Sequence, residues 1–184
     1  MTIQHPDSCS CCSDLLLGAF SRRSFVKGAA AGAAAAVLTP YFALAASGNY
    51  EAMVLSCIDP RFQKPVADEM AKRKLTGKYS AFVIAGAAIG VVAPAFKDWQ
   101  KAFWDNLEAS IQLHNIKSVI VINHRDCGAA KIAYGDAAVG NRDTETKTHR
   151  DALAEFRKQM GQKQAKLKVE TGLMALDGKV EMFT

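Results

Sequence analysis

Two short motifs hold the side chains best suited to chemistry. Cys57-Ile58-Asp59-Pro60-Arg61 supplies a thiol, a carboxyl and a guanidinium, and His124-Arg125-Asp126-Cys127 supplies an imidazole and a second thiol. Two thiolates and one imidazole form a zinc ligand set, with the fourth tetrahedral position left to water or a carboxylate. Asp59 and Arg61 stand beside the first ligand, where a charged pair can orient that water. The blander alternative for the triad is a closed structural zinc site. Only three strong ligands are apparent, which argues for an open position. The blander alternative for Asp59 and Arg61 is a surface ion pair. Arg125 and Asp126 fill the gap between two ligands and read as solvent or interface groups.

Positioning these groups takes two strands. Each motif follows a short apolar run, residues 52–55 and 119–122, of the length and branching that suit buried strands. Chemistry at the carboxyl ends of parallel strands is the rule for open α/β sheets. Along the chain the pattern predicts strands at 50–56, 79–84, 117–123, 167–176 and 179–183. It predicts helices at 62–74, 98–114, 128–134 and 149–160. Residues 85–90 read as a small-residue turn, 135–148 as a surface loop, and Asp177-Gly178 as a tight turn. This is an α/β fold, a mostly parallel β-sheet flanked by helices, with a late strand hairpin at the C-terminus. Cys127 falls at a helix start, where the dipole favours thiolate. Trp99, Phe103 and Trp104 read as core or subunit interface. Gly86 and Gly90 read as close packing, since their spacing alone is weak grounds for phosphate binding.

Composition narrows the classes. The chain has 184 residues, a hydrophobic fraction of 49%, a net charge of +5 and a pI near 9.0. That is ample for a packed core and argues against disorder. Lys residues are scattered without interleaved aromatics, so the basic balance reads as solvated surface with no nucleic-acid partner. Residues 1–45 differ in kind. Ser21-Arg22-Arg23-Ser24-Phe25-Val26-Lys27 precedes an Ala/Gly-rich apolar run, then Ala43-Leu44-Ala45, a small-x-small cleavage site. This resembles a twin-arginine export signal, and it implies the twin-arginine translocase as a transient partner and a periplasmic mature domain, 46–184. A membrane anchor is the alternative; the run is short, weakly apolar and contains Pro40. Cys9, Cys11 and Cys12 lie in the presequence, so the mature chain keeps only Cys57 and Cys127.

Cys-x-Asp-x-Arg followed by His-x-x-Cys-Gly, each after a strand, resembles the β-class carbonic anhydrase family over residues 52–183. The resemblance implies zinc held by Cys57, His124 and Cys127. It implies reversible hydration of carbon dioxide to bicarbonate by hydroxide generated on the ion. Asp59 would accept a hydrogen bond from the nucleophile, and Arg61 would keep Asp59 ionised and fixed. The family also has a resting form in which the equivalent of Asp59 becomes the fourth ligand. It builds its site at a dimer interface, which implies a homodimer or higher assembly. The polar residue common before Ala85-Gly86 is Ile84 here, which bears on the substrate pocket. Two other readings stand beside the hydratase: hydrolysis of carbonyl sulfide or carbon disulfide on the same site, and a non-catalytic zinc-binding protein.

Overall fold

Three runs become the inner strands of one sheet. The computed structural model describes residues 48–183; the predicted export signal, 1–45, lies outside the described residues. The strands are β1 (Ala52–Ser56), β2 (Tyr79–Val83), β3 (Ser118–His124), β4 (Lys168–Met174) and β5 (Val180–Phe183). Their order is β2-β1-β3-β4-β5, with β5 alone antiparallel to its neighbour. The helices are α1 (Pro60–Lys72), α2 (Ala88–Val92), α3 (Lys97–His114), α4 (Gly128–Tyr134) and α5 (Arg142–Lys163). The predicted α/β class and mostly parallel sheet are what the chain forms.

The strand alternation divides the core. Met53, Leu55, Val119 and Val121 face Phe103 and Leu107 of α3 and Leu153 and Phe156 of α5. Ala52, Val54, Ile120 and Ile122 face the other way, against Phe62, Val66 and Met70 of α1. Side chains leave a strand with a period of two, so a strand buried on both faces must be apolar throughout. β1 shows this directly, with all five residues buried.

Two elements differ from the sequence reading. Residues 85–90 are not merely a turn, because Ala88–Val92 closes a helical turn in their second half. More consequential is α5, which starts at Arg142 inside the predicted 135–148 loop. Asn141 caps it, accepting hydrogen bonds from the backbone N–H groups of Asp143 and Thr144, both at 3.0 Å. The first two turns of α5 lack an apolar stripe and instead bury Glu145 and His149. Those two polar residues face the metal-site end of the sheet.

Candidate metal centre

Cys57 follows the last residue of β1, and His124 ends the adjacent strand β3. Parallel pairing aligns Ser56 with Ile122, so both groups reach the same carboxyl rim. Cys127 caps α4 three residues later. The ligand atoms of Cys57, His124 and Cys127 all lie within 4.8 Å of one another, and all three residues are buried. The two cysteines are free thiols, with no disulfide between them. Sequence alone named these three; the fold brings them together.

The imidazole fits a cation. His124 Nδ1 lies 2.7 Å from the Arg125 carbonyl oxygen, which accepts its proton and leaves the Nε2 lone pair free. Nε2 is buried and has no hydrogen-bond partner. An orphaned buried acceptor is costly, and a metal ion is what such a nitrogen beside two sulfurs is built to meet. Phe62 stacks on the ring at 4.0 Å between centroids and fixes its plane.

The two sulfurs influence each other. The neighbouring Cys127 thiol is the largest influence pulling the Cys57 pKa down. The Gly86 N–H also donates to Cys57 Sγ, at 3.2 Å. Gly86 holds a left-handed φ of +80°, and a Cβ there would sit 3.0 Å from Ala129 Cβ. Cys127 moves the other way. The N–H groups of Ala129 and Ala130 do favour its thiolate, as a helix start should. The neighbouring Cys57 sulfur, then burial, act against them and raise its pKa. The helix start therefore acts in the expected direction, opposed by the adjacent sulfur. Thiol protons crowded into one buried site are what a divalent cation would displace.

Asp59 caps α1 and accepts the Arg61 N–H at 2.9 Å. The Arg61 fork closes on the same carboxylate, Nε to Oδ1 at 3.0 Å and Nη2 to Oδ2 at 2.7 Å. That side-chain pairing, above all, holds the Asp59 pKa down to about 2. Asp59 Oδ2 is 4.0 Å from His124 Nε2, next to the point where the three ligands converge. Arg61 Nη2 also donates to the Asp126 carbonyl at 3.0 Å, so one guanidinium ties the two motifs together.

Arg125, expected as a solvent or interface group, is instead held within the fold. It is only 9% exposed, and its guanidinium donates to Glu145 at 3.1 Å. Sequence reasoning also missed Gln63, whose amide donates to the carbonyls of Cys57 and Asp59 at 2.8 and 2.9 Å. It missed Asn123, whose Oδ1 accepts the Ala88 N–H at 3.0 Å and whose amide donates to His149 Nδ1 at 3.0 Å. None of these carries a motif; only the three-dimensional contacts expose them.

A cleft of about 330 Å³ opens over Cys57 and Asp59, walled by Ala85, Phe96, Trp99 and Ile132. Trp99, expected in the core or an interface, is 39% exposed and stacks on Phe96 at 4.3 Å. Phe103 is core, as expected. Ile84 packs against the core beneath the sheet and is not part of the cleft wall. A second cleft of about 350 Å³, by Tyr134, Asp151 and Glu155, contains none of the triad. Donor chemistry, not size, therefore selects the site.

Residues 47–181 match a family described as "Putative carbonic anhydrase". An uncharacterised protein of Rickettsia bellii is 33% identical over 131 residues, covering 71% of this chain and 80% of that one. A second, from Rickettsia conorii, is also 33% identical over 131 residues, 71% and 70% of the two chains. Among solved structures, a Coccomyxa β-carbonic anhydrase in complex with acetazolamide aligns with a TM-score of 0.52 at 17% identity, over 88% of this chain and 82% of that one. Tetrameric β-carbonic anhydrases of Sordaria macrospora align with a TM-score of 0.51 at 12% identity, over 88% and 95%. Identities this low speak to the fold alone. The family match spans most of the sequence and the fold agrees with it, so this chain belongs to that carbonic anhydrase family and has the β-carbonic anhydrase fold.

Proposed function

We propose that this protein is a zinc enzyme that interconverts carbon dioxide and bicarbonate. The observation that supports it best is the orphaned His124 Nε2, set among two buried thiols and 4.0 Å from a carboxylate that Arg61 holds in place. Zinc bound by Cys57, His124 and Cys127 supplies Lewis-acid activation of water. The chain's own residues do the rest. Asp59, ionised and aimed by Arg61, accepts a hydrogen bond from the attacking water and orients it. Arg61 also occupies both carboxylate oxygens, which keeps Asp59 from becoming a fourth ligand. The apolar walls Phe96, Trp99 and Ile132 suit a small, uncharged, linear substrate, and the cleft mouth gives bicarbonate a route out. An apolar Ile84 facing the substrate would favour carbonyl sulfide, but Ile84 packs against the core, so the cleft does not favour that reading.

The proposal extends to assembly and location. Ile58 and Ile132 are 59% and 73% exposed at the cleft mouth, an apolar rim that a second copy would cover. The tetrameric Sordaria structures agree with a multimer. Residues 1–45 would direct twin-arginine export, leaving 46–184 as the periplasmic zinc domain. Export of a folded chain would carry the thiols into an oxidising compartment already bound to zinc.

Zinc content and carbon dioxide hydration, measured on wild type, Arg61→Ala and Asp59→Asn, test the reading. Arg61→Ala frees Asp59 to capture the cation, so hydration should collapse with zinc retained. Asp59→Asn should keep zinc and lose roughly two to three orders in turnover, the scale of one preorganised polar contact. Full activity in Arg61→Ala would overturn the mechanism. Wild type that binds zinc and hydrates no carbon dioxide would favour the non-catalytic alternative.

A further inference from the structure

We propose that Glu145, on α5, is the positioning residue of the metal site. It fixes Arg125 and Asp126, and through their two carbonyls both the His124 imidazole and the Arg61 guanidinium. This rests on the metal-centre reading above and goes beyond it, because nothing in the ligand motifs includes Glu145.

The backbone at Asp126 is unfavourable. Asp126 has φ of +61°, the left-handed region that costs a residue with a Cβ of the order of 1 kcal/mol. Something must hold it there. Glu145 Oε1 accepts the Asp126 N–H at 2.6 Å, and Glu145 Oε2 accepts from Arg125 Nη1 at 3.1 Å. One buried carboxylate therefore grips two successive residues of the loop. The Glu145 side chain is only 8% exposed, so neither contact is readily replaced by water. The Arg125 N–H is pinned separately, to the Met174 carbonyl of β4 at 2.9 Å.

The carbonyls of this fixed segment serve the site. The Arg125 carbonyl accepts from His124 Nδ1 at 2.7 Å, which selects the tautomer that presents Nε2. The Asp126 carbonyl accepts from Arg61 Nη2 at 3.0 Å, which orients the guanidinium that holds Asp59. If the 125–126 peptide rotated, the Arg125 carbonyl would turn away with it, and the Asp126 carbonyl, on the next peptide, would be released as Asp126 left its left-handed φ. The ligand nitrogen and the Asp59–Arg61 pair would then lose their orientation in one movement. A group hydrogen-bonded to a metal ligand typically sets its affinity by about tenfold to a hundredfold; the Arg125 carbonyl is such a group, and Glu145 acts through it.

The test uses cobalt(II) in place of zinc, on the full-length protein, with wild type, Glu145→Ala and Glu145→Gln. The visible absorption bands report ligand geometry, and transfer to a chelator reports release. Urea midpoints report the fold separately. Glu145→Ala should shift the cobalt bands and release metal about tenfold to a hundredfold faster. Glu145→Gln keeps an oxygen for the Asp126 N–H but turns an NH2 toward Arg125, so its bands and release should fall between the two. A purely structural role predicts lower urea midpoints with wild-type bands and release, and that result overturns the inference. If Glu145→Ala does not fold, Glu145→Gln decides: faster release supports the inference, and unchanged release overturns it. Wild type that takes up no cobalt sinks the metal-centre reading itself. Wild type that takes up cobalt, with unaltered variants, sinks only the role of Glu145.

Discussion

Acidifying the protein from pH 7.5 to 4.5 should cost the fold about 2 kcal/mol through His149 alone. The imidazole is fully buried on α5. Its Nδ1 accepts from the Asn123 amide at 3.0 Å, which leaves the proton on Nε2, and Nε2 has no partner. Burial, the largest influence, pushes its pKa from 6.5 down to about 4; the charge of Glu145 opposes this and does not prevail. The folded chain therefore refuses a proton that the unfolded chain accepts. The contribution is complete above pH 6.5, is lost as the pH falls from 6.5 towards 4, and levels off below. At about 1.4 kcal/mol per pH unit the whole window is worth about 3 kcal/mol, most of it gone by pH 4.5. The assay is urea unfolding of wild type and His149→Gln at both pH values, each stripped of metal so that ligand protonation is common to both. Gln offers Asn123 an amide oxygen and has nothing to titrate. Wild type should lose about 2 kcal/mol more than the variant across this span. Parallel losses would refute the claim that a neutral, buried His149 carries the acid sensitivity.

Two further outcomes follow from other parts of the chain. Gly86→Ala forces a side chain into a left-handed position 3.0 Å from Ala129 Cβ and disturbs the N–H that donates to Cys57. It should destabilise the fold by about 1–3 kcal/mol and speed zinc loss to a chelator, and a wild-type release rate would count against Gly86 as a sulfur-supporting group. Replacing Arg22 and Arg23 together by Lys should leave the protein in the cytoplasm, as read by cell fractionation; unchanged periplasmic delivery would rule out the twin-arginine signal.

The triad and the Asp59–Arg61 pair were legible because each motif is local in sequence and sits directly after a strand. Fold class was legible because β1 and β3 are apolar on both faces, a pattern that only a covered sheet explains. The supporting shell was not legible. Glu145 lies in a helix whose opening turns carry Thr, Glu and His, so periodicity assigned it to a loop and started the helix only at His149. Arg125 looks like a surface residue until Glu145, twenty positions on, supplies its counter-charge. Cys127 was judged by its own helix alone, whereas the Cys57 sulfur, seventy positions earlier, also acts on its proton. Ile84 was placed in the cleft by analogy. Strand alternation could have corrected that, because it continues the face of Phe82, which packs against the core.

The adjacency of β1 and β3 also fixes when the site can exist during folding. Cys57 leaves one strand and His124 the other, with α1, β2, α2 and α3 threaded between them. No local stretch of chain holds all three ligands, since Cys57 stands apart from His124 and Cys127. Pairing across so long an intervening segment is slow, because loop closure precedes the contacts that reward it. Capture of a cation by all three donors is therefore a late event, gated by the arrival of β3 beside β1. Stopped-flow refolding in the presence of cobalt should show thiolate–cobalt absorption rising with the last, sheet-forming phase, and not before it.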